Sequence, residues 1–147
     1  MSADYLEIRG RFKDEKSRYK EVQQALIDGL SQHLEPEDWS EEWEEYFTLK
    51  DEYLEFWMDE PYGNWGRAME FIRKDFVSAY QDIVLEFYCV EYYGLEVSGE
   101  KITYDGKKCE SVSRYAKLEE DEDGCGLSFE GDEFQMFQKE IGYKLIE

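Results

Sequence analysis

Residues 83–93 read IVLEFYCVEYY. β-Branched and aromatic residues dominate this run and no glycine or proline breaks it, so it predicts the strongest strand in the chain. Upstream, Trp65, Ala68, Met69, Ile72, Phe76, Ala79 and Tyr80 recur at helical spacing, which predicts a helix over about 65–81 with Asn64 as its N-cap. Before that helix, Phe47 and Leu49, then Leu54, Phe56 and Met58, alternate with polar or aromatic neighbours around Asp51-Glu52, as in a hairpin. Further back, Tyr19, Val22, Leu26, Leu30 and His33 predict a helix over about 15–33. Leu6, Ile8 and Phe12, alternating with Glu7, Arg9 and Arg11, predict a half-buried strand over 4–12. Downstream of residues 83–93, short strands are expected near 94–97 and 101–104, joined at Ser98-Gly99. A turn follows at Asp105-Gly106, then a returning strand over 108–115, an acidic loop, and a helix over 132–141 carrying Phe134 and Phe137.

The order is strand, helix, two strands, helix, strand, hairpin, short helix. It predicts an α+β fold of the ferredoxin-like, split βαβ type: an antiparallel sheet with two helices on one face and a C-terminal hairpin and short helix. One domain is expected over 1–147, with the core in 1–117 and an acidic loop and helix in 118–147. The sheet face away from the helices is expected to carry aromatic rings such as Tyr46, Tyr53, Trp57 and Tyr88.

The stretch AYQDIVLEFYCVEYYGLEVSGEKITYDGK, residues 79–107, is similar to the end of the YubB-type ferredoxin-like domains of plasmid and phage proteins. There a helix leads into a long acidic strand and then a hairpin of the form Y-x-x-G. The hairpin-then-helix before it and YLEIRGRF at residues 5–12 fit the same layout, so the order of elements matches over about 4–110. The chain departs from that family at Asn64-Trp65-Gly66, which opens a helix here. The resemblance implies the fold and a mobile-element origin, and no activity.

Charge narrows the function. The chain holds 37 Asp plus Glu against 17 Lys plus Arg, a formal net charge of −20. A nucleic-acid binder needs a cationic footprint, and so does a protein that docks on an anionic membrane, so direct contact with either is excluded as an expectation. The charge is also unevenly spread. Residues 35–60 carry twelve acids and one base, and residues 118–147 carry ten acids and two bases. Residues 1–34 carry six of each, and residues 84–117 carry six acids and five bases. Crowded like charge repels itself. A well-solvated acidic surface is one account of the two segments, and a surface built for a cationic partner is the other.

Catalytic and metal chemistry have little to stand on. The single histidine, His33, lies at an apolar helical position, and no nucleophile motif, GxGxxG or P-loop occurs. The chain is therefore expected to be non-enzymatic and to need no cofactor. Cys89, Cys109 and Cys125 form an odd set without a close pair, and a zinc site would have to recruit all three with His33. Absent an apolar signal core in MSADYLEIRG, reduced thiols and a cytoplasmic location are expected, the host cytoplasm if the gene is phage-borne. Glu119, Asp121, Asp123, Gly124 and Glu130 match positions 1, 3, 5, 6 and 12 of a calcium loop. Glutamate at position 1, Gly126 at the usually apolar position 8, and a poor entering helix count against it.

The segment DWSEEWEEYFTLKDEYLEFW, residues 38–57, interleaves carboxylates with rings. Aromatics are enriched at interface hot spots, and surrounding carboxylates steer a basic partner toward them. The expected partner-binding residues are Glu37, Asp38, Trp39, Glu41, Glu42, Trp43, Glu44, Glu45, Tyr53, Glu55, Trp57 and Asp59. The function this predicts is inhibition of a basic, nucleic-acid-handling protein by occupying its nucleic-acid site, in the manner of an anti-restriction or anti-CRISPR protein. An immunity protein that neutralises a cationic toxin or nuclease fits the same charge pattern. A calcium-binding or structural acidic protein is a third class. An aromatic sheet face can also support a homodimer.

Overall fold

The computed structural model describes residues 5–38, 40–59, 61–93 and 96–117. Strand β1 (Tyr5–Lys13) leads through a 3-10 turn, Lys16–Arg18, into α1 (Tyr19–Leu30). After β2 (Leu34–Glu35), the chain passes a second 3-10 turn, Trp43–Tyr46, into the hairpin of β3 (Phe47–Leu49) and β4 (Leu54–Asp59). β5 (Tyr62–Gly63) precedes α2 (Trp65–Phe71), which continues through a π-helical stretch, Ile72–Phe76, to a last turn at Val77–Ala79. β6 (Val84–Tyr93), β7 (Glu96–Tyr104) and β8 (Cys109–Lys117) complete the described chain.

Six strands form one sheet in the order β3-β4-β1-β6-β7-β8, and every neighbouring pair is antiparallel. β2 and β5 form a separate two-stranded pair. The fold is α+β, an antiparallel sheet with two helical segments on one face.

The period-2 alternation of the strands builds the core. Leu6, Ile8 and Phe12 of β1, Leu54, Phe56 and Met58 of β4, and Leu85, Phe87 and Cys89 of β6 share the face that meets the helices. Tyr19, Val22, Leu26 and Leu30 of α1 meet them, with Ala68, Met69, Ile72 and Phe76 from the second helix. Each large side chain buried this way stabilises the fold by roughly 1.5–3 kcal/mol. The helices touch where α1 has no side chain: a Cβ on Gly29 would lie 2.0 Å from the Phe71 ring. Asn64 caps α2 as its sequence position predicts, its side chain accepting from the Arg67 amide at 3.0 Å. The Tyr19 hydroxyl donates to the Glu52 carbonyl at 2.7 Å, tying the start of α1 to the β3–β4 turn.

Several expectations are corrected. Ser98-Gly99 is not a turn. Both residues lie within β7, which pairs with β6 on one side and β8 on the other, so their backbone is committed to two ladders. Asp105-Gly106 does turn the chain, with Gly106 at φ +92° and the Asp105 carboxylate accepting from the Lys107 and Lys108 amides. Tyr88 is not an exposed ring. It stands between Arg9 and Lys101 on a central strand and is buried, as are Glu7, Glu86 and Val90 on the same face. The helix expected over 132–141 and the calcium-loop candidates Glu119, Asp121, Asp123 and Glu130 lie outside the described residues. Among the described residues, no helix is long and apolar enough to cross a membrane.

Candidate functional site

The chain between β2 and β3 places its carboxylates against the outer edge of β4. β3 is only three residues long and pairs with Leu54–Phe56, so it stops short of Trp57 and Asp59. Alternation points Tyr53, Glu55, Trp57 and Asp59 to the face away from the helices, while Leu54, Phe56 and Met58 enter the core. Glu37, Asp38, Glu41 and Tyr46 border the part of β4 that β3 does not reach. The result is a recess of about 650 Å³ lined by Glu37, Asp38, Glu41, Tyr46, Trp57 and Asp59.

Local hydrogen bonds shape the rim. The Asp38 carboxylate accepts from the Ser40 hydroxyl at 2.6 Å and the Ser40 amide at 3.0 Å. These bonds, the hydroxyl first, hold its carboxyl below the ordinary aspartate range, so it stays ionised. The Tyr46 hydroxyl donates to Glu41. Burial pushes the Tyr46 phenol up, and the Glu41 bond and neighbouring carboxylates push it further, so at neutral pH it is a protonated donor. Trp57 is 45% exposed, and its indole N–H donates to Asp59 at 3.2 Å. The Arg9 guanidinium sits 4.1 Å from the Trp57 ring centroid, and its Nε lies 2.5 Å from Glu7.

Of the twelve residues expected from sequence, the recess brings together Glu37, Asp38, Glu41, Trp57 and Asp59. Others have different local partners. Glu42 caps the 3-10 turn Trp43–Tyr46 and closes a capping box with Glu45, so both carboxylates hold backbone amides. Glu44 is exposed on that turn. Trp43 is half-buried and stacked on Phe56, with centroids 6.5 Å apart and planes at 9°. Tyr53 lies under the Arg11 guanidinium at 5.2 Å, and Arg11 is 3.9 Å from Glu55. Trp39 lies outside the described residues.

Sequence reading passed over Arg9 and Arg11 as partners of these rings. Their signal is present in the alternation of β1, which puts both on the face that carries Tyr53 and Trp57. The pairing of β1 with β4, which sets Arg9 across from Trp57 and Arg11 across from Glu55, is not readable from spacing alone. Among the described residues, no group of three or more His, Cys, Asp or Glu is placed to hold a metal ion. No family model, curated protein or solved structure matches the chain.

Proposed function

We propose that the chain is a non-enzymatic acidic inhibitor that binds a basic, nucleic-acid-handling protein and blocks its nucleic-acid site. The observation that carries this reading is the recess: four carboxylates converge around Trp57 and Tyr46 beside the part of β4 that β3 does not reach. A groove that binds nucleic acid offers Lys and Arg to phosphates and apolar or aromatic surfaces to bases. Carboxylates on a rigid scaffold present comparable charge density, and an exposed indole supplies the flat ring. Concentration of charge in residues 35–60, beside a nearly balanced scaffold, supports a directed surface over a uniform acidic coat.

The finer fold assignment is part of the same proposal. β1, α1, the β3–β4 hairpin, α2 and β6 follow the order of a ferredoxin-like core, and the β3-β4-β1-β6 portion of the sheet supports it, with β7 and β8 as an added meander. An anti-restriction or anti-CRISPR role is the concrete form, consistent with the YubB-like pattern at residues 79–107.

The test is capture from a bacterial lysate at low and high salt, with the parent chain and a Glu37→Gln/Asp38→Asn/Glu41→Gln/Asp59→Asn variant. The parent is expected to retain a basic nuclease or nucleic-acid-binding protein at low salt and release it at high salt, while the variant retains it poorly. Equal retention by the two would sink the reading.

A further inference from the structure

Given the binding role proposed for the recess, we infer that the side chain it takes from its partner is an arginine, and that Trp57 selects arginine over lysine. The fold already shows which cation these rings accept. Trp57 carries the Arg9 guanidinium 4.1 Å from its ring centroid, with the Arg9 Nε 2.5 Å from Glu7. Tyr53, on the same face of β4, carries Arg11 at 5.2 Å, with Glu55 3.9 Å from the Arg11 Nε. Each is a ring, a guanidinium and a carboxylate. Trp57 is still 45% exposed with Arg9 against it, and it lines the recess, so ring surface remains for a second guanidinium.

The carboxylates supply the matching acceptors. Asp59 accepts the indole N–H at 3.2 Å and therefore stands at the rim of the Trp57 ring. A guanidinium lying flat on a ring directs its N–H groups outward in its own plane, toward carboxylates at the rim. Asp38 takes both Ser40 bonds on Oδ1, and Glu41 takes the Tyr46 hydroxyl on Oε2. Each carboxylate thus keeps an oxygen for an incoming donor. The volume of about 650 Å³ falls within the roughly 300–1,000 Å³ of ligand clefts and admits a whole arginine side chain.

Lysine meets the same charge but not the same ring. Its ammonium is a compact, strongly hydrated point charge that cannot lie flat on an indole. The acids of residues 35–60 draw either cation and speed the encounter. The indole decides which cation is held.

Calorimetric titration of the full chain tests this at about 0.1 M salt, where exposed charges are screened beyond ~10 Å. The probes are two capped peptides of equal length and charge, one alternating glycine with arginine and the other glycine with lysine. The parent is expected to bind the arginine peptide about tenfold more tightly than the lysine peptide. Trp57→Leu keeps apolar bulk without a ring and is expected to bring the two affinities to within about threefold, chiefly by weakening the arginine peptide. Trp57→Gln serves if circular dichroism shows Trp57→Leu unfolded. Trp57→Phe keeps a ring and is expected to retain part of the preference. Equal affinity of the parent for both peptides, each still weakened by the Glu37→Gln/Asp38→Asn/Glu41→Gln/Asp59→Asn variant, overturns the selection of arginine and leaves the acidic recess as a binding site. A preference that survives loss of the ring overturns the role of Trp57. Peptide binding that the four-residue variant does not weaken overturns the recess as the site, and the inference with it.

Discussion

At the β4 edge of the sheet, four carboxylates share one recess with Trp57 and Tyr46; at the β8 edge, the described side chains are serines, Val112, Tyr115, Cys109 and a single acid, Glu110. The two edges differ in what holds them in place. Carboxylates crowded at the β4 edge repel one another, and the rings beneath them anchor the segment. Trp43, Phe47 and Phe87 all lie against Phe56, with centroid separations of 5.0–6.5 Å. Among the described side chains of β8, Tyr115 is the one ring and Glu110 the one carboxylate. The acidic edge is thus a constrained presentation of charge, whereas β8 is a strand that pairs, among the described residues, with β7.

Removing the anchor is expected to have the largest effect. Phe56→Ala empties the centre of the ring cluster and is expected to cost about 3–5 kcal/mol of stability in urea unfolding. A cost below about 1 kcal/mol would mean that the acidic edge does not depend on the core beneath it. Trp57→Ala should separate binding from folding. It is expected to weaken the captured basic partner by about 2 kcal/mol, or roughly 30-fold, with the unfolding midpoint nearly unchanged. Loss of stability without loss of affinity would reassign Trp57 to a packing role. Glu42→Ala should do the reverse of Trp57→Ala, because Glu42 caps the turn and does not line the recess. It is expected to cost about 1 kcal/mol of stability and leave affinity nearly intact.

The smallest expected effect lies away from the recess, at Glu91 on β6. Burial pushes its carboxyl above the ordinary value of 4.5, against hydrogen bonds from Ser98 and Trp65. A raised folded-state value means that the protonated form is favoured by folding. That contribution is complete below about pH 4.5 and is lost as pH rises through the folded value. Glu91→Gln is therefore expected to melt higher than the parent at pH 7, with the gap closing toward pH 4. A gap that widens on acidification would reverse the assigned sign.

Much of this was legible in the sequence because alternation and helical spacing report burial directly. The β1, β4 and β6 patterns located the core strands, and Asn64 marked the start of α2. Ser98-Gly99 misled because the local turn propensity of those residues was outweighed by hydrogen bonding to strands on both sides. Tyr88 misled because alternation reports a face, whereas burial on that face depends on the strand's place in the sheet. The acids of residues 35–60 were visible as a group. Which of them converge depended on β3 ending early and on the capping of the Trp43–Tyr46 turn, and neither has a signature in residue spacing.

The central claim is that the recess, not the total charge, binds a basic partner. Calorimetric titration of an arginine-rich peptide at low salt tests it with three chains: the parent, the Glu37→Gln/Asp38→Asn/Glu41→Gln/Asp59→Asn variant, and a control with Glu119→Gln/Asp121→Asn/Asp123→Asn/Glu130→Gln. Both variants remove the same charge. The recess variant is expected to lose at least about tenfold in affinity and the control less than about threefold. Equal losses in the two would contradict a directed site and leave only an acidic surface.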